Sequence, residues 1–277
     1  SETFSKKQIG RASSIAGIGA QVGAALAAIL AAIVIPWLGW RMLYVIGVLP
    51  VLLVLVIRHG LKEPEAFQAA KATKKATKLR NLFETKQLTW QTIGLSTMVT
   101  VQIAGYFGLM NWLPSIMQAQ LGLSVSGSSL WMVSTIVGMS LGMLTFGIIM
   151  DKLGPRTAFT LFLICSALSV FLLVLARSQW SLVAAAVVVG YFINGMYGGY
   201  GAIISSLYPT EIRATANNFI MNLGRAVGGF SSIIIGFLMD HYQLSAVIIF
   251  LSSIYLVSLV VLWTLTGVKE LKFSLQE

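Results

Sequence analysis

Residues 190–229 read GYFINGMYGGYGAIISSLYPTEIRATANNFIMNLGRAVGG. The first half is apolar, aromatic and glycine-rich as far as Pro209. A short charged turn with Glu211 and Arg213 follows, and a second apolar run then carries Arg225 inside it. A cation within hydrocarbon is costly, so it is kept where it faces a bundle interior or water. Closely spaced small residues let helix backbones approach one another. The stretch therefore predicts a helical hairpin in a membrane with one buried arginine.

Composition agrees. The chain has 277 residues, 57% hydrophobic and 10% charged, whereas a soluble domain carries about 25% charged residues. It begins with Ser, nothing in it resembles a cleavable signal, and it reads as a piece of a longer chain. The single cysteine, Cys165, lies in an apolar run and has no internal disulfide partner.

A helix needs about 20 residues to cross the hydrocarbon. Eight crossings are expected, at 13–37, 42–58, 91–115, 129–150, 157–176, 181–206, 215–239 and 245–266. No charged residue occurs between Lys86 and Asp151, so length forces two crossings there, with Pro114, Gly122 and Gly127 marking the loop. One set of loops holds sixteen of the basic residues, from Lys6 and Arg11 through the Lys71–Arg80 cluster to Lys269 and Lys272. The other set holds only Arg41 and Arg177. The positive-inside rule makes the first set, and both chain ends, cytoplasmic. That asymmetry accounts for the net charge of +10 and argues against nucleic acid as a partner. All seven tryptophans fall at expected span ends, as an interfacial belt would place them. The polar segment 59–89 reads as a basic linker that touches anionic lipid heads, with binding of a regulatory protein as the alternative.

The first and last pairs of spans resemble each other. Gly19-Ala-Gln-Val-Gly23 matches Gly224-Arg-Ala-Val-Gly228, and Gly60-Leu-Lys-Glu63 matches Gly267-Val-Lys-Glu270. Parallel repeats of this kind mark transporters. If the two halves are equal, four spans precede residue 1.

Gly147-Ile-Ile-Met-Asp151-Lys152-Leu-Gly154-Pro155-Arg156 resembles the cytoplasmic loop motif of the major facilitator superfamily, with Pro155 at one basic position. Tyr208-Pro-Thr-Glu-Ile-Arg-Ala-Thr-Ala216 is similar to that family's loop before its eleventh span, and Trp37-Leu-Gly-Trp-Arg41 to the turn between its fifth and sixth. The Gly224-Arg225 pair and Asn111-Trp-Leu-Pro114 look most like the proton symporters of organic acids, the aromatic-acid and sialate-like branches. The resemblance implies an all-α, polytopic membrane helix bundle. Residues 1–58 would be the last two spans of the N-terminal bundle, 59–89 the cytoplasmic linker and 90–277 the six-helix C-terminal bundle.

Arg225 is the first candidate binding residue, because its planar fork suits a carboxylate. Gln21, Gln102, Tyr106, Asn194, Tyr197 and Asn222 lie at similar depth and are candidates to meet the substrate. Asn194 and Tyr197, three apart, would share a helix face. Tyr191, Tyr197 and Tyr200 could stack on an aromatic ligand. Each also has a plainer reading as an interhelical contact. The resemblance implies that Asp151, Lys152, Arg156, Glu211 and Arg213 form an ion-pair latch at the inner gate. Gly138/Gly142, Gly195/Gly199 and Gly224/Gly228 are small-residue pairs suited to close helix contact.

No Asp, Glu or His lies inside an expected span, so a proton-coupling group is expected upstream of residue 1. Nucleophile–base pairs, P-loops and Cys/His metal spacings do not occur. No catalytic residue, metal or cofactor is therefore expected, and the chain is not read as an enzyme. The reading is a secondary active transporter of the inner or plasma membrane, moving a small solute, with an organic anion and protons preferred. The alternatives are an efflux or sugar carrier of the same family, or a transport-inactive sensor or truncation.

Overall fold

The computed structural model describes residues 9–48, 78–121 and 125–270. Among them all regular structure is helical. In chain order come α1 (Ile9–Leu38), α2 (Arg41–Gly47), a 3-10 turn (Leu79–Phe83), α3 (Lys86–Leu121), α4 (Val125–Leu153) and α5 (Pro155–Ser169). Then follow α6 (Leu172–Leu175), α7 (Gln179–Gly195), α8 (Tyr197–Leu207), α9 (Thr210–Gly229), α10 (Ser231–Thr264) and α11 (Thr266–Glu270).

Local chemistry sets several boundaries. Gly39 and Gly154 adopt φ of 75° and 83°, a left-handed conformation that glycine takes without steric cost and that stops a helix. Pro155 follows as the first residue of α5, where a missing N–H costs nothing. Asp151 and Arg156 are thus held on either side of a tight turn. Ser178 and Ser181 cap α7 reciprocally. The Ser178 hydroxyl accepts from the Ser181 N–H at 3.2 Å, and the Ser178 N–H donates to the Ser181 hydroxyl at 2.9 Å.

Six segments are long and apolar enough to cross a membrane: Lys86–Trp112, Met132–Leu153, Pro155–Leu175, Gln179–Leu207, Thr210–Tyr242 and Leu244–Thr264. They coincide with the last six expected spans. α1 covers the first expected span; the second starts in α2 and continues outside the described residues, as does most of the basic linker. The count of eight is therefore not reached among the described residues. Pro114 does not end its helix as expected, because α3 runs on to Leu121. Membrane helices tolerate proline where neighbouring groups re-satisfy the freed carbonyl.

α10 holds parts of two spans. A Cβ built on Gly108 would lie 2.6 Å from Ile235 and 3.6 Å from Leu251. A straight helix would separate those two residues by about 24 Å. The chain therefore folds back on itself between them, and both arms pack on α3.

Helices in lipid associate by packing rather than by hydrophobic exclusion, and the expected glycine pairs are where they meet. A Cβ on Gly138 would sit 2.5 Å from the Val187 carbonyl oxygen, and one on Gly142 would overlap the Tyr191 carbonyl, so α4 lies directly against α7. A Cβ on Gly228 would be 2.8 Å from the Thr100 oxygen, which brings α9 equally close to α3. Phe146 meets Phe159 and Phe162 edge-on at 4.8 and 4.9 Å, and Phe159 meets Tyr200 at 4.9 Å. These four rings are buried and tie α4, α5 and α8 together. α1 crosses this group, with Ser14 against Gly198 of α8 and Gly17 against Met143 of α4.

Candidate functional site

α9 has two faces. Ile212, Ala216, Ile220, Gly224 and Gly228, at every fourth position, are buried. Opposite them Glu211, Asn218, Asn222 and Arg225 are exposed, and the spacings of 7, 4 and 3 keep them in one stripe. Arg225 lies one residue from the midpoint of the span Thr210–Tyr242. Its Nη2 donates to the Tyr197 hydroxyl at 2.7 Å. A guanidinium carries five N–H donors, and the remaining ones have no partner among the described residues. Tyr106 of α3 is half-buried and is an electrostatic neighbour of Tyr197. Tyr106, Tyr197, Asn222 and Arg225 therefore gather at one depth from three helices, all at least partly open.

The other candidates are committed to packing. Gln102 is buried and its amide donates to the Ile193 carbonyl, clasping α3 to α7. Asn194 is buried and its amide donates to the Met143 sulfur at 3.6 Å. Tyr197, three residues on, instead meets Arg225 of α9, while Met196 between them keeps a helical backbone (φ -63°, ψ -22°). The Tyr191 hydroxyl accepts from Thr145 at 2.6 Å, and its ring stacks on Phe162. Tyr200 donates to the Met98 carbonyl at 3.1 Å. Of the three tyrosines proposed to stack on a ligand, only Tyr197 stays with the open cluster. The side chain of Gln21 lies outside the described residues.

At the turn between α4 and α5, Asp151 is buried. Its Oδ2 lies 3.5 Å from Arg11 Nε and accepts from the Arg11 backbone N–H at 3.3 Å. One carboxylate oxygen thus takes both a side-chain and a main-chain donor from α1. A carboxylate beside N–H groups near a helix start also gains from the helix dipole. Arg156 turns away from α1 and stacks on Trp263 at 4.3 Å. Lys152 and Glu211 are exposed. Arg213 keeps a buried Nε without a partner among the described residues. Of the five expected latch residues, Asp151 alone is shown in an ion pair to α1.

Two contributors were missed in the sequence. In the sequence Arg11 reads only as a topology-setting charge, and its pairing with a residue 140 positions away leaves no local trace. Asn218 could have been found, since it stands four residues before Asn222 and seven before Arg225.

A family model described as Major Facilitator Superfamily matches residues 1–136 and 95–276. A Haemophilus influenzae protein named for metabolite transport is 35% identical over 279 residues, covering 98% of this chain and 68% of its own length. The cis,cis-muconate transport protein of Acinetobacter baylyi is 29% identical over 211 residues, covering 74% and 51%. The citrate-proton symporter of Klebsiella pneumoniae is 26% identical over 232 residues, covering 81% and 51%. The chain thus spans between about half and two thirds of the length of these curated relatives.

Proposed function

The chain belongs to the major facilitator superfamily, and on that premise we propose that it is part of a secondary active transporter carrying a small organic anion by alternating access. The observation that carries the reading is Arg225, exposed one residue from the midpoint of a span, with one donor on Tyr197 and the others without a partner among the described residues. Keeping a cation there costs several kcal/mol unless it meets water or an anion. A carboxylate can take the guanidinium fork in two parallel bonds. Tyr106, Tyr197 and Asn222 would supply neutral hydrogen bonds around it. Muconate and citrate, the solutes in two relatives' names, are both carboxylates.

In this reading residues 1–58 belong to one bundle and 90–277 to the other, joined by 59–89 as a cytoplasmic linker, and the protein sits in the inner or plasma membrane. The seam of α1 on α4 and α8 is the inner gate, and the Arg11–Asp151 pair fastens it. Proton-coupled import is the preferred mode, supported by the proton symporter among the relatives.

The test is uptake of radiolabelled carboxylates into proteoliposomes holding the whole protein, with and without an inward proton gradient. Accumulation of one acid that collapses on adding a protonophore is the expected result. Absence of gradient-driven uptake for every acid overturns the anion reading and returns Arg225 to a packing role.

A further inference from the structure

Arg156 was expected at the gate, yet it faces the opposite way. Its Nη2 donates to the Trp263 carbonyl at 3.2 Å, its guanidinium lies 4.3 Å from the centre of the Trp263 ring, and its Nε is buried with no partner. Trp263 in turn donates from Nε1 to the Thr160 hydroxyl at 3.2 Å. The three residues form a fixed shelf where α5 begins and α10 ends, so it sits at one rim of the membrane. Tryptophan prefers that depth. One of the five guanidinium donors bonds the Trp263 carbonyl and the Nε is buried, which leaves three N–H groups without a partner among the described residues.

The shelf stands at the foot of an apolar seam. α5 and α10 run antiparallel, since Arg156 meets Trp263 at one end while Phe171 and Val174 line a hollow with Ser245 and Ile249 at the other. Above the shelf Leu161 and Ile164 of α5, and Leu256 and Val260 of α10, are all exposed. Unpaired donors at the rim, below exposed apolar side chains on both helices, match one amphiphile. We propose that this shelf binds the headgroup phosphate of an anionic phospholipid, with the acyl chains lying along the α5–α10 seam. The stacked ring holds the guanidinium plane in place, and the planar fork bonds the phosphate oxygens. The site requires only that the chain spans a membrane, so it stands independently of the substrate reading.

The test is native mass spectrometry of the purified protein in detergent with equimolar phosphatidylglycerol and phosphatidylcholine. The wild type should retain phosphatidylglycerol preferentially. Arg156→Gln should lower that retention roughly tenfold, the effect of losing a charged hydrogen bond, and leave phosphatidylcholine unchanged. Arg156→Lys should lose most of the preference, because a point charge keeps neither the fork nor the stack. Lys86→Gln removes an exposed charge at the same rim, outside the seam, and should change nothing. Trp263→Leu removes the stacking face without touching the charge, and should lower retention even if Arg156→Gln fails to fold. No preference in the wild type, preference surviving in the Arg156 or Trp263 variants, or equal loss in Lys86→Gln would each overturn the proposal.

Discussion

Replacing Asp151 by Asn keeps the shape of the carboxylate and its ability to accept from Arg11, but removes its charge. Charged hydrogen bonds contribute about 1.5–3 kcal/mol net and neutral ones about 0.5–1.5, so each contact to Arg11 should weaken by about 1 kcal/mol. The Arg11 side chain is 48% exposed and that of Asp151 only 5%. Solvent screening therefore removes much of the side-chain gain, and a combined loss of about 1 kcal/mol is the reasonable figure. By mass action that shifts an open–closed gate equilibrium about fivefold towards open. Ser14 reports the shift directly. It is buried one turn beyond Arg11, against Gly198, and its hydroxyl has no hydrogen-bond partner among the described residues. In a Cys165→Ser background, Ser14→Cys should react slowly with a water-soluble maleimide, and about fivefold faster when Asp151→Asn is added. Arg11→Gln should accelerate it less, since the Arg11 backbone N–H still reaches the carboxylate. The double variant should add little, because paired residues are not additive. Unchanged labelling in Asp151→Asn, or full additivity with Arg11→Gln, refutes the latch.

Arg225→Lys should raise the Km for a transported acid more than it changes the maximum rate, and Arg225→Gln should nearly abolish uptake; wild-type kinetics in both would remove Arg225 from the binding site. Gly142→Ala should cost about 1–3 kcal/mol by overpacking α4 on α7, seen as a lower midpoint in thermal unfolding. Gly23→Ala has open space around it and should be neutral or stabilising by up to about 1 kcal/mol; equal effects from both substitutions would contradict the close contact.

The spans were legible because their signals are collective. Charge-free runs, tryptophans at run ends and asymmetric basic loops each mark the boundaries without reference to any partner. Pro114 was misread because its local preference is against a helix, while a membrane makes an unbonded backbone costlier than a kinked one. The candidate site was legible only in part. Depth along a span follows from counting residues, so Arg225, Tyr197 and Asn222 fell at one level. The direction of a side chain depends on helix rotation and on breaks. Asn194 points inward to Met143 while Tyr197, only three residues later, meets Arg225. Gln102 has the same residue chemistry as a substrate contact, and only its burial against Ile193 separates the two roles. The partner of Asp151 comes from another helix altogether.

The two faces of α9 have a practical consequence for engineering. The positions that seat it on α3 recur at every fourth residue and include glycines that accept nothing larger. Asn218 and Asn222 are on the other side and touch none of that interface. If the stripe lines the transport cavity as proposed, a library randomised at those two positions alone would sample new cavity chemistries on an unchanged scaffold, so selection for altered solute preference could proceed without stability screening at every round.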